Sequence, residues 1–161
     1  MHVDEINWLE WKPKEYAVLC FVIQEERILL IHKKRGLGAG KINGPGGRIE
    51  RGETALDAAI RETQEEIGVT LFSLKEIGKL HFEFVDGYKL HVTVFTGGGC
   101  SGELIETDEA TPFWVNIADI PYDEMWRDDE HWLPLAIKTA RFSGYFVFDG
   151  DRLLSHRVVV L

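Results

Sequence analysis

Cysteine is scarce in this chain: Cys20 lies in an apolar run and Cys100 in a glycine-rich turn, and there are no others. Such a pair forms neither a disulfide framework nor a metal-binding cysteine motif. It fits a reducing compartment, so a cytoplasmic location is expected. Positive charge is also in deficit, with 18 Lys and Arg against 27 Asp and Glu and a formal net charge of −9. A nucleic acid polymer is an unsuitable partner, because neutralising its phosphates needs a basic surface. A free nucleotide that brings its own magnesium remains compatible. Long apolar runs are missing too, which excludes a membrane-spanning helix. Met1 to Lys14 mixes Asp4, Glu5 and Glu10 with Trp8 and Trp11 and lacks the basic start and apolar stretch of a secretory signal. Internal repeats are absent. What remains, with 45% hydrophobic and 28% charged residues in 161, is expected to form one globular domain over residues 1–161.

The most informative stretch runs from Gly46 to Val69. Glu62, Glu65 and Glu66 stand three and four positions apart, so a helix would project all three from one face. Each like-charge pair costs such a helix about 0.2–0.5 kcal/mol. Glu65 and Glu66 also fall in the last turn before Gly68, where the helix dipole disfavours negative charge. A cation would resolve the conflict; an acidic solvated face is the plainer alternative. Thr54 with Asp57 forms a capping box, so the helix is expected from about Thr54 to Gly68. Leu56, Ile60, Thr63 and Ile67 recur at helical spacing and are expected to form its buried stripe. Upstream, Gly36, Gly38, Gly40, Gly44, Gly46 and Gly47 crowd one loop, where backbone can approach a ligand closely. A mobile turn is the competing reading, and the loop's position before clustered carboxylates favours the ligand.

Elsewhere, Tyr16 to Gln24 and Arg27 to His32 read as a hairpin around Glu25-Glu26. Leu80 to Val85 alternates with Phe82 and Phe84 on one side, and Lys89 to Phe95 and Pro112 to Ile117 read as further strands. A second helix is expected over Glu130 to Ala140, with Asp128 or Asp129 as N-cap and Pro134 limiting its early part. Tyr145 to Phe148 and Val158 to Leu161, joined through Asp149-Gly150, suggest a closing hairpin. Strands on both sides of a helix give a mixed-sheet α/β sandwich.

The run from Gly47 through Glu53 to Arg61-Glu62-Thr63-Gln64-Glu65-Glu66-Ile67-Gly68-Val69 resembles the signature of the Nudix hydrolases, which cleave nucleoside diphosphates linked to another moiety. The resemblance implies the Nudix fold, a mixed β-sheet between helices. It also implies a magnesium or manganese ion held by Glu62, Glu65, Glu66 and the Gly46 carbonyl, with Glu109 from a later acidic loop completing the set. Arg61 and Glu53 would support these ligands, and Glu65 or Glu66 would accept the proton of the attacking water. Lys33, Lys34 or Arg35 would reach phosphate oxygens, and Gly46, Gly47 and Arg48 would approach the substrate. Thr63 departs mildly from an aliphatic position; its hydroxyl can bond back to the carbonyl of Ala59.

Further likeness, in Lys33-Lys34-Arg35-Gly36, Asn43-Gly44, Phe82-Glu83-Phe84, Met125-Trp126 and Asp128-Asp129, is to the branch of the family that hydrolyses oxidised purine nucleoside triphosphates to the monophosphate and pyrophosphate. Carried over, Asn43, Asp128 and Asp129 would contact the purine edges, Trp126 would stack on the ring, and Phe82 and Phe84 would lie near the pocket. Leu37, Ile42, Val18, Pro45 and Arg127 depart from that branch, which affects pocket shape more than hydrolysis. Helix capping by the two aspartates and a core role for Trp126 are the competing readings. The expected partner is a small-molecule nucleotide bound by a monomer, away from membranes. Two rivals stand beside this one: a Nudix hydrolase of a nucleotide sugar or dinucleoside polyphosphate, and a nucleotide-binding sensor without turnover.

Overall fold

The computed structural model describes residues 1–161. Along the chain come β1 (Glu15–Gln24), β2 (Arg27–Lys33), β3 (Ile42–Asn43), β4 (Gly46–Arg48), α1 (Ala55–Ile67), β5 (Thr70–Phe84), β6 (Lys89–Ser101), β7 (Ala110–Asn116), α2 (Asp129–Ile137), β8 (Phe142–Asp149) and β9 (Arg152–Val160). β1 and β2 form the expected hairpin, yet they pair only at Ile23↔Ile28 and Gln24↔Arg27 and then part. Beyond that point β1 lies between antiparallel β4 and parallel β6, while β2 lies between β3 and β7. The sheet continues from β6 through β5 and β8 to β9. A cleft opens where the first two strands diverge.

Both faces of the sheet are covered, which explains why β1 and β2 read as unbroken apolar runs. Val18, Cys20 and Val22 of β1 pack with Leu29 and Ile31 of β2 against Ala58, Ala59 and Ile67 of α1. Phe21 points the other way and joins Ile28, Leu30, Leu80 and Phe146 against Trp132, Leu133 and Ala136 of α2. The outcome is the mixed sheet between helices expected from the sequence. Cys20 is fully buried, with its sulfur 4.0 Å from the Ala59 carbonyl, and burial pushes its thiol up to about 12.

Helix α1 has the expected ends: Thr54 Oγ1 accepts the Asp57 amide at 3.1 Å, and Gly68 closes the helix in the left-handed region at φ 80°. Its buried stripe differs from expectation. Leu56 is 45% exposed and Ile60 only half-buried, whereas Ala58, Ala59, Thr63, Glu66 and Ile67 are buried. Small alanines bring the helix close to the sheet, and the Thr63 hydroxyl donates to the Ala59 carbonyl at 2.8 Å. The packed face is thus rotated toward Glu66.

Other boundaries shift for identifiable reasons. β5 and β6 extend far beyond the expected pieces, from Thr70↔Ser101 to Glu83↔Lys89, through Gly97, Gly98 and Gly99 of β6, which have little strand propensity, and a β5 stretch whose apolar residues are interrupted by Ser73, Lys75, Glu76 and Gly78. β9 begins at Arg152, six residues before the apolar end that marked it in the sequence. α2 covers Asp129–Ile137 and stops before Ala140, because Thr139 turns to φ 57°. Asp128 precedes α2 but caps nothing with its side chain.

Leu56→Ser is therefore expected to change stability by about 0.5 kcal/mol or less, whereas Ala59→Leu, overfilling the α1–sheet contact, costs about 1–3 kcal/mol. Urea denaturation of both variants checks this, and a reversed order would restore Leu56 to the core.

Candidate active site

The cleft between β1 and β2 widens into a cavity of about 450 Å³. One end is lined by Lys33, Arg35, Gly46, Gly47, Arg48, Glu62, Glu66 and Glu109, the other by Asn43, Phe82, Phe84, Tyr88, Trp126, Asp128, Asp129 and Phe148. The first end is charged and the second aromatic, so the space suits an elongated ligand with an anionic and a planar part.

At the charged end, Arg61 organises the carboxylates. Its Nε and Nη2 grip both oxygens of Glu53 at 2.7 and 2.9 Å, and Nη1 donates to Glu62 at 2.8 Å and Glu65 at 3.2 Å. Nη2 also donates to the Arg48 carbonyl at 3.1 Å, which ties the loop after β4 to the helix. Arg61 and the Glu50 amide hold the Glu53 carboxyl down to about 2. Glu66 is buried and accepts only the Gly46 amide, at 3.1 Å. Burial pushes it up to about 7, against the Gly46 amide and Lys33, with the charges of Glu109 and Glu62 adding to the rise. Glu62 is also raised by burial, and Lys33 is lowered by it. Close approach here depends on two glycines: a Cβ at Gly47 would collide with the Glu62 carboxylate, and one at Gly46 with the Val18 carbonyl.

The four expected acidic ligands do not form a ready-made cage, since no group of three or more His, Cys, Asp or Glu side chains is placed to hold a metal ion. Arg61 draws Glu62 and Glu65 to itself, and Arg35 lies 3.5 Å from Glu109. Glu65 is largely exposed and, with Glu53 and Arg61, does not line the cavity. The donor set still fits a hard divalent cation. Glu62, Glu66 and Glu109 offer oxygens around one space, and the buried Glu66 lacks a cationic partner within bonding distance.

At the aromatic end, Phe84 and Phe148 stack at 5.6 Å and both meet Trp126 edge-on. Lys41 lies 5.4 Å from the indole centre, and a Cβ at Gly38, where φ is +81°, would strike the indole nitrogen. The glycine loop thus packs against the aromatic end, folded on itself by bonds such as Gly40 N to Lys33 O at 2.8 Å. Asp128 and Asp129 are each 2% exposed. Asp128 accepts Trp132 Nε1 at 2.7 Å instead of capping α2, and Asp129 Oδ2 is buried without a partner. Burial raises Asp128 to about 6 and Asp129 well above its ordinary range, the latter also through the charge of Asp128. Both carboxyls are thus harder to ionise than free aspartates, and the two titrate as a pair.

Of the sequence-derived contact candidates, Lys33, Arg35, Asn43, Gly46, Gly47, Arg48, Phe82, Phe84, Trp126, Asp128 and Asp129 line this one cavity, whereas Lys34 points away, donating to the Thr107 carbonyl at 2.8 Å and pairing with Glu106 at 3.0 Å. Tyr88, Leu90 and Phe148 were missed. Tyr88 closes the β5–β6 turn, where its carbonyl accepts the Phe84 amide at 2.9 Å, and Phe148 faces Phe84 across the parallel β5–β8 pair. Only the strand pairing reveals either.

The raised aspartates predict a pH dependence of stability. A carboxyl whose folded value lies above its unfolded one stabilises fully below the unfolded value, and that contribution is lost as pH rises through the folded value. For Asp128 the window runs from about 3.8 to about 6. Asp128→Asn is therefore expected to gain on the unsubstituted protein as pH rises through this window, measured by denaturant unfolding at each pH. A constant difference across the window would show that the pair is not desolvated as described.

Comparison with known proteins agrees with this geometry. An oxidized purine nucleoside triphosphate hydrolase from Danio rerio is 45% identical over 142 residues, covering 87% of this chain and 91% of the relative. One of the same name from Mus musculus is 41% identical over 140 residues, covering 86% and 90%. Among solved structures, a MutT protein from Bacillus halodurans superposes with a TM-score of 0.81 at 24% identity, covering 89% of this chain and 97% of that one, a likeness of fold. The NUDIX domain matches residues 13–136, and with the signature helix, its loop and the cavity they border, this chain belongs to the Nudix hydrolase family.

Proposed function

We propose that this chain hydrolyses oxidised purine nucleoside triphosphates, with 8-oxo-dGTP as the leading substrate and 2-hydroxy-dATP as a second, to the monophosphate and pyrophosphate. The observation that carries this reading is the single cavity joining a desolvated carboxylate end to an aromatic end with two buried aspartates. The relatives named as oxidized purine nucleoside triphosphate hydrolases support it.

Nudix hydrolases generally use divalent metal ions, and the hard oxygen donors here suit magnesium or manganese. Glu62, Glu66, Glu109 and the Gly46 carbonyl are the residues proposed to hold the cation, with exposed Glu65 joining when Arg61 releases it. When bound, the ion would lower the pKa of water and neutralise charge developing on phosphate oxygens. Lys33, Arg35 and Arg48 would orient the triphosphate. Glu66, buried and raised to about 7, is the proposed proton acceptor, because proton transfer is most effective when the acceptor's pKa lies near the working pH. Trp126 would stack on the purine, with Phe82 and Phe84 beside it. Asn43 and the carboxyl groups of Asp128 and Asp129 would read the edge where an oxidised base exchanges an acceptor for a donor. The pocket is complete within one chain, which supports action as a monomer and a single domain over residues 1–161. No helix is long and apolar enough to cross a membrane. A cytoplasmic setting, suggested by the free cysteines, belongs to the same proposal.

Two measurements test it. Glu66→Gln is expected to keep the fold and lose turnover by about 10²-fold or more, scored as pyrophosphate release from 8-oxo-dGTP with magnesium; full activity would remove Glu66 from the chemistry. Asp129→Asn is expected to lower the ratio of 8-oxo-dGTP to dGTP turnover by about tenfold or more. An unchanged ratio would place base recognition elsewhere, and preferential cleavage of ADP-ribose in the same panel would replace the substrate assignment.

A further inference from the structure

Residues 1–12 precede the stretch matched by the family and take no part in the site, yet they are built into the fold. Val3 is 1% exposed, its amide donates to Ser155 Oγ at 2.8 Å, and its carbonyl accepts Trp8 Nε1 at 2.9 Å. Asp4 pairs with Arg157 at 3.2 Å. The segment then crosses the sheet and is fastened again where the Lys14 amide donates to the Lys89 carbonyl at 2.8 Å. Between these anchors Trp8 and Trp11 lie 5.4 Å apart. Trp8 sits 5.0 Å from Tyr145 and 6.2 Å from His81, and Trp11 sits 5.6 Å from His81.

The patch beneath the two indoles belongs to three neighbouring strands. His81 on β5 is directly opposite His91 on β6 and Tyr145 on β8, with ring separations of 5.0 and 4.6 Å. Burial lowers both histidines, His91 to about 4, so near neutral pH both rings pack as uncharged aromatics. Side chains alternate across a strand. The sequence neighbours of these histidines, Phe82, Leu90 and Val92, therefore face the opposite side, where they line the cavity together with Phe84. The second anchor, Lys89, is adjacent to Tyr88, another cavity residue. The segment and the aromatic wall thus grip opposite faces of the same strands at the same level.

We propose that residues 1–12 form a strap that positions the aromatic wall of the pocket from behind, with Trp8 and Trp11 acting through His81 and His91 on Phe82, Phe84 and Leu90. Side chains that must meet a ring within fractions of an ångström need a backbone held on both faces. The kinetic part of this inference rests on the nucleotide reading of the pocket; the structural part does not.

The test uses the full chain with Trp8→Ala and Trp11→Ala combined, beside a Trp8→Phe, Trp11→Phe version that keeps aromatic packing. Amide hydrogen exchange without ligand is expected to quicken about tenfold or more over residues 80–92, with α1 unchanged. With 8-oxo-dGTP, KM is expected to rise about fivefold or more while kcat stays within about twofold, and the phenylalanine version is expected to restore both readouts. Uniformly faster exchange, an unchanged KM, or failure of the phenylalanine version to restore would overturn the strap. Should the double variant not fold, Trp11→Ala alone, remote from the Val3 anchor, is held to the same outcomes. If the unsubstituted protein turns over no oxidised nucleotide, the substrate proposal fails and the exchange pattern alone decides the strap.

Discussion

The Arg61 guanidinium is the interaction on which the charged half of the cavity depends. Its five N–H donors are all engaged, two by Glu53, one each by Glu62, Glu65 and the Arg48 carbonyl. One planar cation therefore fixes the glycine-bordered loop, the approach to α1 and the face of that helix relative to one another. It also offsets the repulsion between Glu62 and Glu65, which leaves Glu66 as the carboxylate whose burial the Gly46 amide and Lys33 only partly offset. A lysine at this position would carry the charge without the fork, and the loop would lose its tie to the helix.

The divergence of β1 from β2 supplies the space that this arrangement borders. Because β1 turns to pair with β4 and β6, the carboxylates of α1, which packs on one face of the sheet, reach a cavity whose aromatic wall belongs to the other face. The two ends share one electrostatic theme. Each keeps carboxyl groups out of water, near cations and amides at one end and beside an indole N–H at the other, so each can respond to a ligand by gaining, losing or sharing a proton.

Much of this was legible in the residues. The caps of α1 and the apolar strands are local features, and local physics reads them correctly. The buried stripe was misread because amphipathic periodicity weighs Leu56 above Ala58 and Ala59, whereas close helix–sheet packing selects the small residues. Sequence reasoning looked for an external cation to relieve the glutamates, but Arg61, in the same run, already relieves two of them. The end of the β5–β6 ribbon far from its turn was hidden because Gly97, Gly98 and Gly99 form a ladder only when a neighbouring strand is present. Tyr88 and Phe148 enter the site through pairing between strands distant in sequence, information that no local window carries.

The thiol of Cys20 lies against the back of α1 and is held protonated by its surroundings. The thiolate, not the thiol, is the nucleophile that attacks a peroxide. The oxidants that damage a cell's purines thus meet no reactive sulfur beneath this helix, and a catalyst assigned to clearing that damage would keep its central packing intact under the stress that creates its substrate.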